Sequence, residues 1–119
     1  MASEQATGYG DDSCEEPACP VAQALQVLDG KWTTLVVRDL LGGTRRFTQL
    51  RDSLAGISPK TLTDRLRELE KAGLVDRRMY AEIPPRVEYS LTERGLTLEP
   101  VIAALAAWGR EQQRMAPGA

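Results

Sequence analysis

The stretch that most constrains this chain is GISPKTLTDRLRELEKAGLV, where a strong helix stop meets an abrupt change of hydrophobic period. Ser58 is a good helix N-cap, and Pro59 suits the first helical position, where its missing N–H costs nothing. Leu62, Leu66 and Leu69 then recur at helical spacing, and Gly73 is a good stop. Beyond it, LVDRRMYA and RVEYSL are short and rich in Val, Leu and Tyr, with the stiff EIPP between them. That pattern predicts a two-stranded hairpin with an extended, proline-stiffened tip.

The elements before and after complete the layout. Pro20 with Val21, Ala24, Leu25 and Leu28 predicts a first helix beginning near Cys19 and broken by Gly30. KWTTLVVRDLLGG predicts a second helix, with an apolar face of Trp32, Leu35, Val36, Leu40 and Leu41. FTQLRDSL predicts a short third helix that turns at Ala55-Gly56 into the one capped by Ser58. Thr92 opens a long last helix that Pro100 kinks or divides. The expected fold is mainly α with a small β-hairpin (α+β). Two short helices joined by a tight turn and followed by a hairpin make a winged helix-turn-helix.

Organisation follows from composition. Residues 1–18 are expected to be a disordered acidic tail, residues 19–115 the folded domain, and residues 116–119 a frayed end. With 119 residues there is one domain's worth of chain, so a signal is expected to be sensed within the fold or by a partner copy. No apolar run approaches the roughly 20 residues that span a bilayer. The first residues lack a signal-peptide pattern, so the expected place is the cytoplasm with no membrane partner.

The net charge of −2 is unevenly distributed. Residues 1–30 carry six acids and no Lys or Arg, whereas residues 31–86 carry twelve Lys and Arg against seven Asp and Glu. A basic segment inside an acidic chain suits an anionic partner, and its distribution matters more than the total.

On the helix from Ser58, the leucines take one side. Lys60, Asp64, Arg67 and Lys71 lie opposite, with Thr61, Arg65 and Glu68 on a flank. Such a face can enter the major groove, where Arg or Lys donates to guanine and Thr meets a thymine methyl or a phosphate. The residues nearest the helix N-terminus reach deepest, so Ser58, Pro59, Lys60, Thr61, Asp64 and Arg65 are the candidate readers. Taken alone, this helix would pass as an ordinary amphipathic surface helix. Its setting between a turn and a hairpin favours DNA. Arg45, Arg46 and Arg51, around the third helix, are placed to hold phosphates. Arg86, beside the hairpin loop, could reach phosphates or the minor groove. Arg77 and Arg78 should point to opposite faces of a strand, so only one serves easily.

Other chemistries are poorly served. There is no histidine, no Gly-rich phosphate loop and no nucleophile with a visible base, so an enzyme is not expected. Two cysteines, Cys14 and Cys19, are too few for a zinc site, and no metal or cofactor is expected. Cys19 precedes Pro20 at the expected N-cap of the first helix, where backbone N–H groups favour the thiolate. Glu15 and Glu16 oppose that charge. Cys14 could resolve an oxidised Cys19, or be an inert thiol.

The segments CPVAQALQVLDGKW, RRFTQLRDSLAGISPKTLTDRLRELEKAGLV and PPRVEYSLTERG resemble the HxlR-type winged-helix regulators, which are similar in architecture to the MarR group. The resemblance spans about residues 19–110. It implies a homodimer packed through first and last helices, duplex DNA as partner, a palindromic or repeated operator and, often, repression. Cys19 matches a cysteine that senses oxidants or electrophiles in some members of the family, which makes an oxidant effector the leading expectation. Leu98, Val101, Ile102, Leu105 and Trp108 form an apolar stripe on the last helix, which suits a dimer seam or an internal core. Two alternatives stand beside this reading. One is the same regulator gated by a small apolar ligand. The other is a winged-helix protein-interaction module that does not bind DNA.

Overall fold

A computed structural model describes residues 19–116. The expected acidic tail, with Cys14, and most of the expected frayed end lie outside the described residues. The elements run α1 (Pro20–Val27), α2 (Gly30–Leu41), β1 (Arg45–Arg46), α3 (Phe47–Ser53), α4 (Pro59–Lys71), β2 (Val75–Tyr80), β3 (Arg86–Leu91), α5 (Glu93–Leu96) and α6 (Glu99–Met115). Two compact units divide at Gly30. None of the helices among the described residues is long and apolar enough to cross a membrane.

In the first unit, Cys19 is the N-cap of α1 and Pro20 stands in its first turn, as the Cys-Pro pair predicts. The helix closes at Leu28, whose N–H donates to the Ala24 carbonyl at 2.9 Å. Cys19 and Leu28 are buried, while Val21 and Leu25 are exposed.

The second unit is built around leucines of α3 and α4. Leu50, Leu54, Leu62, Leu66 and Leu69 are buried together with Val36, Val37 and Leu40 of α2, and with Leu74, Val75, Tyr89 and Ile102. On α2 the buried face is Thr33, Val36, Val37 and Leu40, whereas Trp32, Leu35 and Leu41 are only half-buried. The expected face was therefore turned. The buried set is a regular i, i+3, i+4, i+7 series, but a threonine stands at its head and hides it from a reading by apolar residues.

The helix-turn-helix is joined by Ala55-Gly56, with Gly56 at φ +94°, a conformation that glycine adopts without strain. Ser58 caps α4 as its sequence predicts, its Oγ accepting from the Thr61 N–H at 3.1 Å. Gly73, at φ +78°, ends the helix in the left-handed region.

The hairpin carries an addition that the sequence pattern does not announce. β1 joins it to make a three-stranded antiparallel sheet in the order β1-β3-β2. Arg45 and Arg46 are therefore strand residues, opposite Tyr89 and Glu88. Directly opposed residues share a face. Arg45 and Arg77 thus lie on the face of the buried Tyr89, while Arg46 and Arg78 lie with Glu88 on the other.

After the wing the chain returns to the end of α4. Thr92 donates from N–H to the Leu74 carbonyl at 3.0 Å and from Oγ1 to the Gly73 carbonyl at 2.7 Å. Arg94 donates to the Ala72 carbonyl. These bonds satisfy the carbonyls of Ala72, Gly73 and Leu74, at and just past the C-cap of α4, and tie the wing's exit to the α4 terminus. Thr92 also caps α5, so a helix does start there. Of the two outcomes expected for this helix, a kink or a division, the structure has the division. The chain breaks at Thr97-Leu98, and Pro100 stands in the first turn of α6, where its missing N–H is harmless.

Candidate nucleic-acid interface

The α4 helix presents its first two turns outward because its three leucines are fully committed to the core. Ser58, Pro59 and Lys60 are exposed, and Thr61, Asp64 and Arg65 are half-buried at the edges of that face. Besides accepting from the Thr61 backbone, the Ser58 hydroxyl donates to Thr61 Oγ1 at 2.9 Å. The cap and the candidate contact thus share one polar cluster. Lys60 Nζ sits 2.9 Å from Asp64 Oδ2, one turn away. This hydrogen bond is the main reason why the Asp64 carboxyl titrates below its ordinary value, with the positive charges of Lys60, Arg65 and Arg67 adding to the effect. Arg65 reaches back to Glu68 at 3.3 Å. The outer face of α4 therefore carries cations held in reach of one another's counter-charges, ready to exchange those partners for phosphates or base edges.

The remaining arginines divide into separate groups. Arg51 lies exposed on α3, 3.7 Å from Asp52. Arg45 Nη1 donates to the Thr44 carbonyl at 3.4 Å, and its guanidinium lies over Gly42, where a Cβ would come within 3.0 Å of Nη2. The Arg46 N–H donates to Gln49 Oε1 at 2.8 Å and fixes the start of α3, which leaves its side chain exposed. Arg46 and Arg86 meet across an open cleft of about 270 Å³ with Phe47, Thr48, Pro85 and Val87. A second cleft, about 500 Å³, lies where α4 meets the sheet and is bordered by Thr63, Arg67, Glu70 and Arg77.

Arg86 departs from the picture of a cation waiting for DNA. Its guanidinium lies 4.1 Å from the centre of the Tyr80 ring, with Glu82 at 3.2 Å and Glu88 at 3.4 Å. Sequence reasoning named Arg86 but missed Tyr80, Glu82 and Glu88 as its surroundings. The only available signal was the pairing of Tyr80 with Arg86 across a hairpin whose register the sequence leaves open. Thr48, in the cleft with Arg46, was also missed, because nothing local marks it.

On the last helix, Val101, Leu105 and Trp108 are exposed and Leu98 is half-buried, while Ile102 is buried in the core of its own unit. Cys19 is only 1% exposed. Among the described residues no cluster of His, Cys, Asp and Glu has the makings of a metal site.

Comparison with known proteins agrees with this layout. The family model of the HxlR-like helix-turn-helix matches residues 27–116. The HTH-type transcriptional regulator sll1512 of Synechocystis sp. is 50% identical over 102 residues, which is 84% of this chain and 76% of that protein. A structure described as a transcriptional regulator of the MarR family, from Porphyromonas gingivalis W83, is 39% identical with a TM-score of 0.78, over 82% of this chain and 95% of that one. The redox regulator HypR in its reduced form is 41% identical with a TM-score of 0.76, over 79% of this chain and 93% of that one. These proteins are regulators, not enzymes. This chain is a transcriptional regulator with a helix-turn-helix DNA-binding fold, and it belongs to the HxlR-like helix-turn-helix family.

Proposed function

We propose that residues 19–115 form a homodimeric repressor that reads an operator with α4, entering the major groove through Ser58, Pro59, Lys60, Thr61, Asp64 and Arg65. The observation that carries this reading is the two-turn polar face of α4, backed by three buried leucines and fixed at its start by the Ser58 cap. Arg45, Arg46 and Arg51 lie on neighbouring elements and supply phosphate contacts that orient the helix. The exposed Val101, Leu105 and Trp108 of α6, an i, i+4, i+7 stripe, supply the seam for a second copy.

The test is binding to a duplex that the wild-type chain enriches from a randomised library. Lys60→Ala and Arg65→Ala should each weaken that complex by about 1–3 kcal/mol if they read bases. Operator affinity unchanged in both variants would move the readout off this helix.

A regulatory input through Cys19 is proposed on a separate observation. A redox regulator, HypR, is 41% identical to this chain, and Cys19 stands at the N-cap of α1. Its burial means that an oxidant reaches the sulfur only when the segment around it opens. Peroxide or diamide should change DNA affinity in the wild type and not in Cys19→Ser. An equal response in both proteins would place the sensor elsewhere, and a small apolar ligand would become the leading effector.

A further inference from the structure

Where α4 meets the sheet, two arginines and a buried tyrosine border one cleft, and among the described residues none of these three side chains has a hydrogen-bond or ion-pair partner. The cleft lies wholly within the second unit and measures about 500 Å³. That falls inside the range of roughly 300–1,000 Å³ typical of ligand clefts. One wall is a stripe of α4, Thr63, Leu66, Arg67 and Glu70, spaced i, i+3, i+4 and i+7. The other wall is the sheet, where Arg77 of β2 and Tyr89 of β3 stand opposite each other in register and share a face. Arg51, Arg65 and Arg86 each lie on a carboxylate. Arg67 and Arg77 are exposed and lie on none, although Glu70 borders the same cleft. Tyr89 is 9% exposed. Its hydroxyl makes no hydrogen bond among the described residues, yet that oxygen is not sealed from solvent. A tyrosine buried to this extent usually has a partner for its O–H.

We propose that this cleft is an effector site for a small aromatic monocarboxylate, with the carboxylate held between Arg67 and Arg77 and bonded by the Tyr89 hydroxyl. A guanidinium presents paired donors that match a carboxylate, and an O–H donating to a charged oxygen is among the stronger protein hydrogen bonds. Phe47 and Leu66, which also border the cleft, supply apolar surface for the ring. Glu70 sets the charge of the guest. Two cations and one carboxylate leave a single positive charge to neutralise, so the cleft suits a monoanion and disfavours a phosphate monoester or a dicarboxylate. This chemistry differs from that of a small apolar effector, which has no use for two arginines. Because one wall is α4 and the other the sheet, a bound acid ties the two together. Its consequence for DNA rests on the reading that α4 enters the major groove. Any difference in affinity for the acid between the free and the DNA-bound chain must return as an equal change in DNA affinity.

The test uses the full chain without DNA, titrated with benzoate at constant ionic strength and followed by NMR through the Tyr89 ring and the amides of α4 and β2. Benzoate should bind saturably with a Kd on the order of 1 mM or below. Benzamide, its neutral counterpart, should bind about tenfold more weakly or worse. Arg67→Gln and Arg77→Gln should each weaken benzoate binding about tenfold. Tyr89→Phe should weaken it about three- to tenfold without lowering the thermal midpoint, because the hydroxyl it removes bonds nothing in the free protein. Glu70→Gln should tighten benzoate and admit phthalate, a dianion. Matching circular-dichroism spectra confirm that each variant is folded. No saturation at about 10 mM benzoate overturns the proposal. So does equal binding of benzamide, or wild-type benzoate affinity in both arginine variants while each flattens the salt slope of duplex binding by about one, the mark of a lost phosphate contact. The link to DNA is read separately, on the duplex enriched from a randomised library. Benzoate, at a concentration that fills the wild type and leaves Arg77→Gln mostly empty, should change duplex affinity about fivefold or more in the wild type and not in the variant. Benzoate that binds but leaves duplex affinity unchanged overturns the effector role. A wild-type chain that enriches no duplex overturns the α4 reading and leaves the binding result standing.

Discussion

Lys60 has a choice of partners. In the free protein its ammonium lies on Asp64, and in the complex proposed above it leaves that carboxylate for a base edge or a phosphate. Asp64 therefore sets a cost on indiscriminate binding, because every phosphate contact by Lys60 has first to break a bond already made. Asp64→Asn should raise affinity for duplexes of arbitrary sequence and steepen the salt slope by about one, since one more phosphate becomes available to neutralise. Titration of both proteins against a random 30-base-pair duplex measures this, and equal slopes would show that the bridge places no restraint on Lys60. The pH dependence has a definite sign. The carboxyl titrates below its ordinary value because the charged form is favoured in the folded protein. The bridge is fully formed above the usual carboxylate range and is lost only as pH falls through that lowered value. Lys60 is thus released by acid and not by changes around neutrality, and this pair adds no pH dependence to DNA affinity between pH 6 and 8.

The elements hold the site through two contacts that a sequence pattern does not reveal. Thr33 is buried on α2 among valines, and its hydroxyl has no hydrogen-bond partner among the described residues. A buried hydroxyl without a partner costs free energy, and valine has nearly the same shape. Thr33→Val should stabilise the protein by about 1 kcal/mol, read from chemical denaturation; a loss of stability instead would mean that the hydroxyl is satisfied in solution. Gly95 is the second contact. A Cβ there would lie 2.2 Å from the Leu74 carbonyl oxygen, just past the α4 stop. The oxygen is backbone and cannot swing aside, so α5 can lie against the end of α4 only because this residue has no side chain. Gly95→Ala should destabilise the protein by about 2–3 kcal/mol through overpacking. The same variant should weaken DNA binding, because the wing's exit is tied to α4 at that carbonyl.

At the scale of the whole molecule, the question is what covers α6. Leu105 is 52% and Trp108 67% exposed, one turn apart on the last helix. A second copy would remove both from water, and two half-sites on one operator would then follow from two-fold symmetry. Leu105→Glu combined with Trp108→Glu should leave the fold intact, since neither side chain is in the core, yet convert a dimer to a monomer in sedimentation. Operator affinity should fall with it. A wild-type chain that sediments as a monomer at micromolar concentration would remove this seam from the account.

The reading of α4 came almost wholly from the sequence. Ser58, Pro59, three leucines at helical spacing and Gly73 specify a helix with its ends and its buried face. Each of those signals works within a few residues, through backbone hydrogen bonds and side-chain period, which is why they are legible in one dimension. The wing was legible as a hairpin for the same reason. Tertiary structure alone decided the rest. Arg45 and Arg46 became a strand because β3, some forty residues later, offered them partners. Thr33 entered the core because the helix rotated to bury Val36 and Val37 together. Arg86 came to rest on Tyr80 because strand register set them opposite each other. Pairing across the chain depends on which surfaces meet, and no local spacing records that. The sequence by itself thus determined α4, the helix proposed to face DNA. Packing decided which of the surrounding arginines remain exposed beside it and which are drawn into holding the wing.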